Sequence, residues 1–126
     1  MTESPYGDLV YEHESGLKVH EMLRNPYEDK SLAPGHYYQV EWLDNKGNWQ
    51  GEIIHFQDGP IPSNGVNGLT SEALLAIIIH RTSTLNGQFP CDENENAIKH
   101  MERALALFNE RTAKRKARGV EGQLKA

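Results

Sequence analysis

The chain has 126 residues, 37% of them hydrophobic and 25% charged, and a formal net charge of −5. That length suits one domain with a tail, and its hydrophobic share supports a small core that gains from oligomerisation. The acidic balance argues against a general nucleic-acid binder, no apolar run reaches the roughly eighteen residues of a membrane span, the N-terminus lacks the layout of a secretory signal, and the single cysteine, Cys91, excludes an internal disulfide and agrees with a reducing compartment.

Residues 1–35 carry sparse apolar side chains (Leu9, Val10, Leu17, Val19, Met22, Leu23) and are interrupted by Pro5, Pro26 and Pro34. They read as an extended arm, disordered in part before Gly16 and able to wrap across a neighbouring subunit, with a strand or short helix over residues 17–24. Residues 36–126 then form the structured domain. Residues 36–43 (HYYQVEWL) are aromatic and β-branched with partial alternation, which predicts a strand. Residues 44–48 (DNKGN) are turn chemistry, with Gly47 available for a positive φ. Residues 49–57 (WQGEIIHFQ) return as the second strand of a β-hairpin. A lone hairpin is marginal in water and needs a helix or another sheet against one face.

Residues 58–70 (DGPIPSNGVNGLT) are rich in glycine, proline and asparagine and predict a loop of tight turns. Such backbone can line up amides as an anion nest, or serve as a plain connector; the glycine spacing matches neither the P-loop nor the dinucleotide fingerprint. Thr70 or Ser71 then caps a helix over residues 71–84, whose Leu74, Leu75, Ile77, Ile78 and Ile79 are apolar nearly all round. A helix of that kind is buried on more than one side. Residues 85–90 (LNGQFP) form the turn of a helical hairpin, and the second helix returns antiparallel.

That second helix starts at Asp92 or Asn94 as N-cap and stops at Gly119. Acids gather at its start and cations at its end, as the helix dipole favours. Ile98, Met101, Leu105 and Phe108 make one apolar stripe at spacings of three and four. Its last turns hold Arg111, Lys114, Arg115, Lys116 and Arg118 with no acid among them. Arg111 and Arg115, four apart, share a face that continues the stripe. Two readings stand: a solvated basic end complementing the dipole, or guanidinium forks placed to bind phosphate.

The six histidines include no pair at the i, i+4 spacing of a metal-binding helix, nothing marks Cys91 as activated, and Glu93, Glu95 and Glu102 sit on a helix surface where glutamates are ordinarily just solvated. No catalytic residue, metal or cofactor is assigned, and the chain is not expected to be an enzyme.

Several strings in the second half go together: FQDGPI (56–61), GVNGLTSEALLAIIIHR (65–81), FPCDEN (89–94), AIKHMERAL (97–105), and the arginine-rich turn running into RGVEG (118–122). In combination they resemble the phage Thoeris anti-defence sponges of the first type, a family that shares its helical-hairpin domain with the phage anti-CBASS sponge. The resemblance spans roughly residues 50–122. It implies a protein that binds cyclic nucleotide immune signals without cleaving them: glycocyclic ADP-ribose isomers, with CBASS cyclic oligonucleotides held at separate sites in some members. It also implies dimers, and hexamers in some members. Arg111 and Arg115, with Arg118 nearby, would take the phosphates, and Asn94 the adenine. Leu85 stands where the family usually stacks an aromatic residue, and Phe89 is an alternative platform. Asp92 stands where the family often has arginine. Gln123 replaces a threonine and puts a second nucleotide site at residues 118–122 in question.

These readings combine into an α+β fold, a β-hairpin or small antiparallel sheet packed on an antiparallel helical hairpin and assembled as a homo-oligomer. The expected partners are a cyclic nucleotide and further copies of the chain, with no nucleic-acid polymer and no membrane, in the cytoplasm of an infected bacterial host. Two alternatives are a helical-hairpin module that binds a host protein and a hydrolase of the same ligands.

Overall fold

A computed structural model of the chain describes residues 6–25 and 30–118. They form two compact units that divide between Asp58 and Gly59.

The first unit is antiparallel β throughout. Strands β1 (Tyr6–Glu12), β2 (Lys18–Met22), β5 (Tyr37–Leu43) and β6 (Trp49–His55) form one sheet in the order β1-β2-β5-β6, and β3 (Arg24–Asn25) pairs with β4 (Lys30–Ser31) as a separate ribbon. The predicted hairpin is β5 and β6, in register from Tyr37 opposite His55 to Leu43 opposite Trp49. Asp44 closes its turn: the carboxylate accepts from the backbone N–H of Lys46 and of Asn48, both at 2.9 Å, and from Gln50 Nε2 at 3.0 Å, while Gly47 takes φ 81°. The N–H of Asn48, then that of Lys46, holds the Asp44 carboxyl below its usual value of 3.8.

The expected arm is corrected in part: the strand alternative over residues 17–24 is β2, but the segment is built into the sheet rather than set apart from it. Residues 6–12 and 18–22 are strands, and a domain boundary at residue 35 would cut the sheet between β2 and β5. The physical reason is pairing: a two-stranded ribbon leaves two open edges, and β2 satisfies the edge of β5 from Lys18 opposite Glu41 to Glu21 opposite Tyr38. Residues 1–5 of the arm lie outside the described residues. Among the described residues only Met22, 4% exposed, is buried, and Tyr6 stands opposite it in register. Tyr6 lies against His20 (5.1 Å between ring centroids) and Tyr37 stacks on His55 (4.1 Å).

The second unit is helical: α1 (Ile61–Asn64), α2 (Ser71–Gln88) and α3 (Asp92–Ala117). The predicted glycine-rich loop contains the single turn α1, which ends at Gly65 with φ 71°. Thr70 caps α2, its hydroxyl accepting from Ala73 N–H at 3.1 Å. α2 runs past residue 84 to Gln88, so Leu85 is helical rather than part of the turn. The hydroxyls of Thr82 and Thr84 donate back to the carbonyls of Ile78 (2.7 Å) and His80 (2.9 Å), so neither breaks the helix. The turn shrinks to Phe89, Pro90 and Cys91, closed by Cys91 N–H on Asn86 Oδ1 at 3.0 Å. Cys91, not Asp92 or Asn94, occupies the N-cap of α3 and gives no side-chain cap. Asp92, Glu93 and Glu95 support the first turn by charge alone. The expected stop at Gly119 lies outside the described residues.

Half-buried positions recur at spacings of three and four on both long helices: Leu75, Ile79, Thr82 and Asn86 on α2; Asn94, Ile98, Met101 and Leu105 on α3, with Thr112 and Arg115 beyond the exposed Phe108. Such stripes are what a helical pair uses to pack. The expectation that α2 is buried on more than one side does not hold for a single chain: Ile77 is 57% exposed and Ile78 40%.

Candidate functional site

Both long helices start from the same short turn, but α2 has 18 residues and α3 has 26. At the ordinary rise of about 1.5 Å per residue, α3 therefore runs about 12 Å beyond the first turn of α2. The cationic cluster occupies this overhang. A surface cavity of about 550 Å³ opens there, lined among the described residues by Leu107, Glu110, Arg111, Lys114, Ala117 and Arg118. Their spacing places all six on one face of the helix. The volume falls in the range typical of small-molecule sites, about 300–1,000 Å³.

Three cations and one carboxylate meet in this cavity. Lys114 Nζ binds Glu110 Oε1 at 3.0 Å, four residues apart on the helix. The hydrogen bond from Lys114, then its charge, holds the Glu110 carboxyl below its usual value. Arg111 and Arg118 are exposed and present their forks to the cavity. Arg115 is half-buried, its Nε shut off from solvent, and it lies on the neighbouring packing stripe rather than among the lining residues. Thus Arg111 and Arg118 come together in the cavity, with Arg115 beside it.

The other sequence-derived site residues stand at the opposite end of the hairpin. Phe89 is 75% exposed at the turn, Leu85 lies in the last turn of α2, and Asn94 is half-buried in the first turn of α3. Asn94 and Arg111 are about 26 Å apart along α3. No compact ligand reaches both from a single chain. Glu110, Leu107 and Ala117 were not anticipated from the sequence. Glu110 with Lys114 carried a readable signal, the i, i+4 order in which glutamate precedes lysine on a helix.

Elsewhere the chemistry is thin. A cavity of about 120 Å³ in the sheet unit is lined, among the described residues, by Asn25, Lys30, Ser31, Leu32, Ala33, Tyr37 and Asp58, with one cation balanced by one carboxylate. His20 Nδ1 and His55 Nε2 are closed to solvent without a hydrogen-bond partner, on strands separated by β5. Among the described residues no group of three or more His, Cys, Asp or Glu side chains is placed to hold a metal ion. No described helix is long and apolar enough to cross a membrane.

Residues 51–113, half of the chain, match the family model described as Acb2/Tad1, hairpin domain. Over 70 residues the chain is 46% identical to the protein called Thoeris anti-defense 1 from Bacillus phage SBSphiJ7. The aligned part covers 55% of this chain and 49% of that relative, so the chain spans about half the length of the curated relative it matches.

Proposed function

Because the chain belongs to the Acb2/Tad1 hairpin-domain family, we propose that it is a phage anti-defence protein that sequesters cyclic nucleotide immune signals without cleaving them. The ligand class is the glycocyclic ADP-ribose isomers, with CBASS cyclic oligonucleotides as a second class. The observation that carries this reading is the cation-lined cavity on the overhang of α3.

A diphosphate is compact and doubly charged. Arg111 and Arg118 offer it planar, bidentate donors, and Lys114 adds a mobile point charge. Arg115 holds the adjoining stripe and adds positive potential. A base needs an apolar platform and a hydrogen-bonding edge, for which Phe89, Leu85 and Asn94 are suited. These lie too far from the arginines in one chain, so the complete site takes its base-binding end from a second copy arranged antiparallel. Exposed Ile77, Ile78, Leu107 (48%) and Phe108 (38%) supply apolar surface for that pairing. Closing the site between copies removes water and strengthens each phosphate contact. Sub-micromolar affinity requires more than about 8 kcal/mol, within reach of several charge-assisted contacts and one buried base.

Sequestration needs no nucleophile or general base. The protein works in the host cytoplasm, where the signals are made. Incubating the pure protein with a glycocyclic ADP-ribose isomer, removing unbound ligand and then heating separates the readings. Recovery of intact ligand supports a sponge, altered ligand marks a hydrolase, and no depletion points to a protein partner. In titration calorimetry with glycocyclic and cyclic oligonucleotide ligands, replacing both Arg111 and Arg118, the two arginines that line the cavity, by alanine should weaken binding at least about 100-fold, since hydrogen bonds to charged groups are worth about 1.5–3 kcal/mol each. Parent-like binding by that double variant would move the site away from α3.

A further inference from the structure

The two edges of the sheet differ. β1 pairs irregularly with β2, with breaks in register between Tyr6 and Leu9 and between Leu9 and Tyr11. Such bulges are one way in which an edge is kept from recruiting another strand. β6 has no such protection. It pairs with β5 without a break from Trp49 to His55 and contains neither proline nor lysine. Residues 49–53 are all exposed, Trp49 at 64% and Ile53 at 54%, and among the described residues no strand lies beyond β6.

We propose that β6 pairs antiparallel with β6 of a second copy of the chain about a two-fold axis at Gly51. The result is one continuous sheet across two subunits, in the order β1-β2-β5-β6 and then its reverse. This strand shares no residue with the lining of the α3 cavity, and the proposal does not depend on the nucleotide reading.

The sequence of β6 selects both the occupant and the register. Trp49, Gly51 and Ile53 alternate along the strand and share one face. An axis at Gly51 sets Trp49 opposite Ile53 of the partner subunit, and Ile53 opposite the partner's Trp49. An aromatic side chain across from a β-branched one is a favourable cross-strand pair. On the other face, Gln50 meets the partner's Glu52, and Glu52 meets the partner's Gln50. The neighbouring registers fail. An axis at Glu52 sets two carboxylates directly opposite one another, which is destabilising. An axis at Gln50 leaves Trp49 facing glycine and carries Ile53 past the end of the strand. The sheet's own packing does not require glycine at position 51. A Cβ there would meet Gln39 Nε2 and Val40 O at 3.5 Å, which is ordinary contact. A strand that complements itself at this register and at neither neighbouring one identifies a second copy as its partner.

Directly opposed residues on antiparallel strands have Cα atoms about 4.5–5.5 Å apart, within disulfide reach. The test uses the full-length chain, without nucleotide, in a Cys91→Ser background. Under a glutathione redox buffer, Gly51→Cys should form a covalent dimer at least tenfold faster than Lys46→Cys in the adjoining turn. Adding Ile53→Lys should slow the Gly51→Cys crosslink at least tenfold with the far-UV circular dichroism unchanged. Equal rates at the two positions, or a crosslink insensitive to Ile53→Lys, would overturn the proposal. So would failure of the pure chain to crosslink, the result expected if β6 instead takes a strand from another protein. If Gly51→Cys perturbs the sheet, mixing Trp49→Cys chains with Ile53→Cys chains decides the matter. The mixed disulfide should dominate over both homodimers, and a random mixture would sink the assignment.

Discussion

Glu110 is an anion set among three cations, Arg111, Lys114 and Arg118, in the α3 cavity. Its carboxylate occupies Lys114 at 3.0 Å and is itself held below the ordinary value of 4.5, first by the hydrogen bond from Lys114 and then by its charge. A carboxyl with a depressed pKa contributes stability above its unfolded value, and that contribution fades as pH falls through the folded one. The pair is exposed, so its effect on folding is small. Its effect on ligand is more direct, because Lys114 cannot serve a phosphate and Glu110 equally well. Glu110→Gln is expected to raise the affinity for a diphosphate ligand roughly two- to five-fold at neutral pH, about the strength of one surface ion pair. Calorimetry at stepped pH checks the cause. Parent affinity should rise toward that of the variant only as pH falls through the lowered titration range of Glu110, while the variant lacks this step.

At the scale of elements, local chemistry decided most of what could be read from the chain. Thr70 was recognisable as a helix start because a short hydroxyl before an apolar run satisfies an orphan amide. Thr70→Ala should cost about 1 kcal/mol and lower the melting midpoint by a few degrees, measurable by thermal circular dichroism. A Ser replacement should restore most of it. The β5–β6 turn was equally legible, since Asp44 and Gly47 are both turn residues with distinct mechanical roles. The first strand was not, and the second only as one of two alternatives, a strand or short helix over residues 17–24. β1 lies half out of register and exposes Leu9, Val10 and Tyr11, while β2 mixes Lys18, His20 and Glu21 with Val19 and Met22, so neither presents a clean two-residue period. Their pairing is decided by the open edge of β5, which lies far away in the sequence. The missing cap on α3 has a similar origin, because Asn86 holds Cys91 in the turn and the N-cap falls one residue before the first expected cap, Asp92.

At the scale of the whole molecule, the cationic cluster of the candidate site was legible in the sequence, but its distance from the other candidate residues was not. The arginines announce themselves by composition and spacing. That Asn94 and Phe89 stand a helix length away follows only once α2 is seen to end at Gln88 and α3 to be one unbroken helix. On the proposed reading, the same geometry makes binding depend on self-association. Ile77→Lys, on the exposed flank of α2, should halve the mass found by sedimentation if the hairpins pair there, and should weaken ligand binding at least about tenfold with helix content retained. Loss of affinity at unchanged mass would place the second half of the site elsewhere. Met22 carries a further consequence. With one described side chain hidden from water, an isolated copy has little interior to hold it in shape. If copies associate as proposed, contact between them adds to that interior, and each chain becomes more stable as its concentration rises. While chains are scarce, the number of paired copies, and with it the capacity to soak up signal, would grow more steeply than synthesis itself.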